Sequence, residues 1–134
     1  MSEVYSKEHD MAFDLASGLG LHPAALKLRA ERTKVIASNL ANLDTPGYRA
    51  RDLDFKRSLA EAGGDGAHAR PGDALTGGVT LGYRVPYQAA QDGNTVELGI
   101  EQAAFAQNAV DFQMSLTFLN TKIKGLQTAI TGNA

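Results

Sequence analysis

At 134 residues the chain is one domain's worth of sequence, and a formal net charge of −2 sets up no field of the kind that binds nucleic acid. Cysteine and tryptophan are both absent, and the missing cysteine excludes disulfides and thiolate metal sites. No run approaches the roughly 18 apolar residues that span a bilayer, and the start lacks the order of a secretory signal peptide, so export would use a route that leaves the sequence uncut.

The N-terminal extension, residues 1–22, carries a weak helical pattern (Met11, Phe13, Leu15, Leu19) that ends on Gly18 and Gly20. Such a helix is marginal and ordered only by neighbours. A stronger helix is predicted over 23–43, with Pro23 in its first turn, where a missing N–H costs nothing. Leu26, Ala30, Thr33, Ala37 and Leu40 alternate four and three apart. That 3.5-residue period is a coiled-coil seam, and its small side chains let a second helix come close. Lys27, Arg29, Arg32 and Lys34 make the helix basic outside the seam.

The helix runs into Ser38-Asn39-Leu40-Ala41-Asn42 and then Asp44-Thr45-Pro46-Gly47-Tyr48. Asn39 and Asn42 are three apart, which puts both amides on one face within reach of the unpaired carbonyls of the last turn. Thr45 precedes a proline and is pushed out of the helical region. Pro46-Gly47 suits the central positions of a type II turn. This is a joint between a helix and an extended arm.

The arm, residues 44–93, is of different composition. Asp52 is placed to cap a short helix through Phe55 and Leu59, and Asp52 and Asp54 read as capping residues rather than paired catalytic carboxylates. Residues 63–78 are rich in Gly, Ala and Asp without apolar period, which predicts a flexible loop. Val79, Leu81, Tyr83 and Val85 alternate with Thr80, Gly82 and Arg84, the pattern of a half-buried strand. A lone strand must pair, either with the stretch near Tyr48–Arg51 or with a neighbouring subunit.

The C-terminal helix, predicted over 94–131, has the strongest period. Leu98, Gln102, Phe105, Ala109, Phe112, Leu116, Leu119, Ile123, Leu126 and Ile130 alternate four and three apart, all apolar except Gln102. A strict 3.5 repeat of that length favours a left-handed coiled coil. Asn94 with Glu97 reads as a variant capping box. Glu97, Glu101 and Asp111 face the basic N-terminal helix with opposite sign. The fold class that follows is mainly α: long N- and C-terminal helices forming a coiled-coil hairpin, with a short extended or β segment and a flexible Gly-rich loop between them. The C-terminal seam outruns the N-terminal one by several turns, and the unmatched apolar surface calls for another subunit. Repetition of one such contact would build a helical tube.

The joint Ser38 to Tyr48 resembles the N-terminal signature of bacterial flagellar rod and hook proteins. The continuation Arg49-Ala50-Arg51-Asp52-Leu53-Asp54-Phe55 narrows the resemblance to the proximal rod, since hook and distal-rod relatives usually carry threonine and phenylalanine where Pro46 and Tyr48 stand. Tyr83-Arg84-Val85-Pro86, Asp92-Gly93-Asn94-Thr95-Val96-Glu97 and the long last helix agree, so the likeness covers roughly residues 23 to 131. It implies a structural subunit of the drive shaft nearest the inner-membrane ring, with the terminal helices packed as an inner layer around the export channel. Implied partners are other proximal rod proteins, the rod-to-ring adaptor FliE, further copies within a helical tube, and the flagellar type III export apparatus. The resemblance also implies terminal helices largely unfolded in the free monomer. The extension before Pro23 and the loop at 63–78 depart from the family pattern.

No enzymatic constellation accompanies this. His9, His22 and His68 are scattered, Glu8-His9-Asp10 reads as a solvated terminus rather than a metal site, and no nucleophile elbow or phosphate loop is present. Neither a cofactor nor a metal is expected, and no catalytic residue is assigned. The competing class is a soluble coiled-coil adaptor or export chaperone, which would share the heptads without needing the Asn–Pro–Gly joint and would be a stable helical dimer in isolation.

Overall fold

The computed structural model describes residues 19–63, 79 and 81–132. The weak helix expected before residue 19, the Glu8-His9-Asp10 cluster and residues 64–78 of the loop expected over 63–78 lie outside the described residues, and Gly63 belongs to a helix instead. In chain order the elements are α1 (His22–Ala41), β1 (Arg51–Leu53), α2 (Phe55–Gly63), β2 (Leu81–Tyr83) and α3 (Leu98–Thr131). Among the described residues, no helix is long and apolar enough to cross a membrane.

The protein is mainly helical, and α1 and α3 form an antiparallel hairpin. Arg29 meets Asp111 near the start of α1, while Asn39 meets Glu101 near its end. At the far end the His22 ring stacks on Phe118, with centroids 6.3 Å apart. Residues 119–131 of α3 run on past α1 for roughly 20 Å. α3 stops where Gly132 takes φ 68 and donates its N–H to the Thr128 carbonyl, a left-handed C-terminal cap that glycine adopts without a Cβ clash.

The arm leaves and rejoins the hairpin through a two-stranded antiparallel ribbon, with Arg51 opposite Tyr83, Asp52 opposite Gly82 and Leu53 opposite Leu81. The short helix α2 is capped by Asp54, whose Oδ1 accepts the Arg57 N–H at 3.0 Å. Asp52, expected as the cap, lies inside β1 instead, and the first residue free of the strand takes over the capping role.

Among the described residues, the buried apolar side chains are Leu28, Ile36, Ala50 and Leu53, and the buried polar ones are Asn39, Ser58, Asn94, Glu101 and Asn108. With so few apolar side chains buried among the described residues, hydrogen bonds and ion pairs set much of the geometry of the hairpin. The line of α3 turned to α1 is Glu101, Asn108 and Asp111, about one residue and hence about 100° away from the apolar repeat. Of that repeat, Leu98, Phe105, Ala109, Ile123 and Ile130 are exposed in the single chain, and Phe112, Leu116, Leu119 and Leu126 are half-buried. On α1, Leu26, Ala30, Thr33 and Leu40 are half-buried and Ala37 is exposed. The hairpin therefore pairs through polar groups and leaves much of the apolar face of α3 uncovered.

Candidate functional site

The joint is two turns set back to back. Thr45-Pro46-Gly47-Tyr48 closes with the Tyr48 N–H on the Thr45 carbonyl at 3.2 Å, and Gly47 takes φ 71, as the third position of a type II turn demands. Gly93, at φ 75, forms the opposing turn, and the Gly47 N–H donates to the Asp92 carbonyl at 2.9 Å. A Cβ on Gly93 would stand 3.7 Å from the Gly47 Cα. Below the turns, the Thr95 N–H donates to the Tyr48 carbonyl and the Ala50 N–H to Thr95 Oγ1, at 2.9 and 2.7 Å.

Three asparagines hold this crossing. Asn42 Nδ2 donates to the Ser38 carbonyl at 2.8 Å, and its Oδ1 accepts from Thr45 Oγ1, so it serves the last turn of α1 as the sequence suggested. Asn94 is buried and works across the joint rather than on its own helix. Its Nδ2 reaches the carbonyls of Asn42, Leu43 and Thr45 at 3.0, 2.7 and 2.9 Å. These carbonyls belong to the cap and turn residues that follow α1, where the chain leaves the helix. The capping box expected of Asn94 and Glu97 does not form: α3 begins without a side-chain cap, and Glu97 accepts the backbone N–H groups of Tyr87 and Gln88.

Asn39 does not serve the last turn. Its amide faces the backbone of Arg51, donating Nδ2 to the carbonyl at 2.6 Å and accepting the N–H on Oδ1 at 3.1 Å. An antiparallel strand would present that same donor–acceptor pair. A fully buried side chain on α1 thus stands in for a third strand and pins β1 to the helix. Asn39 Nδ2 also donates to Glu101 Oε2 at 3.2 Å, and Tyr48 Oη lies 3.4 Å from Asn39 Oδ1 and 3.2 Å from Ser38 Oγ. Leu40 is half-buried, while Ala41, Asp44, Thr45, Pro46 and Gly47 are exposed.

A chain of ion pairs extends from there. Arg32 grips Asp52 with two hydrogen bonds at 2.9 and 3.0 Å, and Arg84 bridges Asp52 and Glu101 with contacts of 2.6 Å each. Glu101 is fully buried, and Arg84 and Asn39 are its side-chain partners. Burial pushes the Asp52 carboxyl up, but hydrogen bonds from Arg32, Arg84 and the Leu53 N–H outweigh it and hold the group below its ordinary value. The hydrogen bond to Asp52 outweighs burial at Arg32, and that guanidinium moves up. A depressed carboxyl contributes stability that is present above its unfolded pKa and lost as pH falls through the folded one. The Asp52 contribution is therefore fully present above the ordinary carboxylate range, roughly pH 4, and declines progressively as the pH falls from there through the lower folded value. Urea titrations across that range should show an acid-side loss of stability that Asp52→Asn reduces; an unchanged profile in the variant would count against the assignment.

Farther along the hairpin, Asn108 Nδ2 donates to the Arg29 carbonyl and Thr33 Oγ1, both at 2.9 Å, and Arg29 pairs with Asp111 at 2.8 Å while lying 4.0 Å over the Phe55 ring. Of the opposite-sign flanks expected to set register, Arg29–Asp111 meets directly, whereas Arg32 and Glu101 are joined through Asp52 and Arg84. Arg84 and Asn108 were not singled out from sequence. Parity in a half-buried strand would have turned Arg84 to solvent; the ribbon instead turns Arg84 toward Asp52 and Glu101 and leaves Leu81 and Tyr83 exposed. Among the described residues, no group of three or more His, Asp or Glu side chains converges on a point that could hold a metal.

Comparison with known proteins points the same way as the joint. The family of flagella basal body rod proteins matches residues 22–49, which span α1 and the turn. The flagellar basal body rod protein FlgB of Cereibacter sphaeroides is 46% identical over 121 residues, covering 85% of this chain and 94% of that protein. The FlgB proteins of Salmonella typhimurium and Escherichia coli are each 40% identical, covering 88% and 89% of this chain and 96% and 97% of their own lengths. With 40–46% identity over 85–89% of its length, the chain belongs to the FlgB family of flagellar basal body rod proteins.

Proposed function

We propose that this chain is a structural subunit of the proximal rod, at the inner-membrane ring, which transmits torque and helps to line the export channel. The observation that supports this best is the division of labour on α3. Its polar line fixes the hairpin, and its apolar repeat from Leu98 to Ile130 is left largely open. In this reading, Leu26, Ala30, Thr33, Ala37 and Leu40 on α1 and Leu98, Phe105, Ala109, Phe112, Leu116, Leu119, Ile123, Leu126 and Ile130 on α3 form the assembly seam, whose part left unmatched within the hairpin meets other subunits. Neighbours are further copies, other proximal rod proteins and the adaptor FliE, and delivery is through the flagellar type III export apparatus. The joint from Ser38 to Tyr48 sets the angle at which the arm meets those neighbours, so load on the helices reaches the arm without a hinge.

The test is the turn. Gly47 has open space around a would-be Cβ, so its substitution acts through φ alone. Valine there is strained by roughly 1–2 kcal/mol, whereas asparagine tolerates the left-handed region. Gly47→Val, and more mildly Pro46→Ala, are expected to reduce incorporation into basal bodies while leaving secretion near normal, with Gly47→Asn largely competent. Normal rod assembly by Gly47→Val would sink the joint's role. Equal loss of secretion would make the segment an export signal instead.

A further inference from the structure

The two edges of the β ribbon are treated differently. The Arg84 N–H donates to the Ala50 carbonyl. In an antiparallel ladder the hydrogen-bonded pairs alternate, so Asp52–Gly82 is the next such pair, and the backbone groups of Arg51, Leu53, Leu81 and Tyr83 point outward. On the β1 side, both outward groups of Arg51 are taken by Asn39. On the β2 side, the outward N–H and C=O groups of Leu81 and Tyr83 have no hydrogen-bond partner among the described residues.

Free edges are normally blunted by lysine, proline, a bulge or an inward charge, because they template pairing with another chain. Leu81-Gly82-Tyr83 has none of these. Leu81, Tyr83, Val85 and Tyr87 are 43, 61, 85 and 86% exposed, an apolar and aromatic stripe along and beyond the edge. Two cations flank it. The Arg49 guanidinium lies 4.1 Å over the Tyr83 ring, and Arg51 is exposed across the ribbon from Tyr83. Neither has an acidic partner among the described residues.

We propose that the outer edge of β2 docks an extended segment of a neighbouring protein chain, which adds a third strand and brings acidic side chains to Arg49 and Arg51. Backbone pairing demands an extended partner, the stripe favours alternating apolar residues, and the two cations select acid over base. Three residues of ladder supply only a few backbone bonds, so Tyr83, Val85 and Tyr87 provide the remaining contact. The proposal rests on the rod reading for the place where the partner is met.

The test places a photo-reactive amino acid at Val85 in the full chain, expressed in its own host, and recovers basal bodies after irradiation. The expected result is a cross-link to a second chain whose linked peptide alternates apolar residues with at least two Asp or Glu. Arg49→Glu with Arg51→Glu should cut that product at least about tenfold per incorporated subunit, while Arg→Lys at both positions retains it. Incorporation without a Val85 product, a product only with residues 64–80 of the same chain, a linked peptide without acids, or indifference to charge reversal would each overturn the proposal. Absence of the chain from basal bodies would instead defeat the rod reading, and the docking edge would then be judged by the same cross-link in whole cells.

Discussion

Asn39→Ala is expected to destabilise the protein by about 2–4 kcal/mol, because it strands the backbone N–H and C=O of Arg51 together and removes one of the two supports of buried Glu101. Each such group costs roughly 1–3 kcal/mol when left without a partner, and access of water to exposed Arg51 keeps the total toward the lower part of the sum. With so little apolar core, a loss of this size is a large share of the whole stability. Asn39→Asp separates hydrogen bonding from shape. The carboxylate still accepts the Arg51 N–H but cannot donate to its carbonyl, and it sets a second negative charge against Glu101. It should be at least as damaging as alanine near neutral pH and recover in part on acidification. Urea unfolding followed by circular dichroism reads the stability, and hydrogen exchange at the Arg51 amide reads the contact. An alanine variant within about 0.5 kcal/mol of the parent, with Arg51 still protected, would refute the strand-mimic role.

Arg84→Ala is expected to cost a similar or larger amount, about 3–5 kcal/mol, because it leaves Glu101 charged at a site with no solvent access. Arg84 is the hub: one guanidinium satisfies carboxylates from β1 and α3 together. Arg84→Lys should recover little, since a point charge cannot reach both acids as a planar fork does. The double change Arg84→Met with Glu101→Leu tells charge from packing. Removing both partners also removes the burial penalty, so the double variant should be more stable than Arg84→Ala alone. If the double variant unfolds as readily as the single one, Arg84 acts through its contacts rather than its charge.

The helices, the turn at Pro46-Gly47 and the existence of a strand around Leu81–Tyr83 were legible because each rests on local chemistry: a period, a proline, a glycine at positive φ. That strand is not half-buried as expected, however: Val79, Leu81, Tyr83 and Val85 are exposed. The face of α3 that meets α1 was not legible. Hydrophobic period reports which side of a helix avoids water, and in an assembling chain that side can be reserved for other subunits while the internal contact runs through Glu101, Asn108 and Asp111. The ion-pair chain was hidden for a related reason. Arg84 with Glu101 and Arg29 with Asp111 meet across long stretches of sequence, and nothing local to either member reveals the other. Asn39 shows the limit most clearly. Its position at a helix end predicted service to the last turn, and only the folded path of the arm reveals that its amide faces Arg51.

The ribbon Arg51–Leu53 with Leu81–Tyr83 closes the chain into a loop at its neck, and the Gly47–Asp92 bond and the Asn94 amide seal it a second time on the hairpin side. The bonds that fix the crossing of α1 and α3 thus lie on the hairpin side of the arm, and α2 returns to α1 through Phe55 under Arg29. Lengthening such an excursion costs only the entropy of a larger ring, roughly 0.6 kcal/mol for each doubling. Changes of length between α2 and β2 are accordingly expected to leave the crossing of α1 and α3 in place, with hydrogen exchange at the Arg51 amide as the readout.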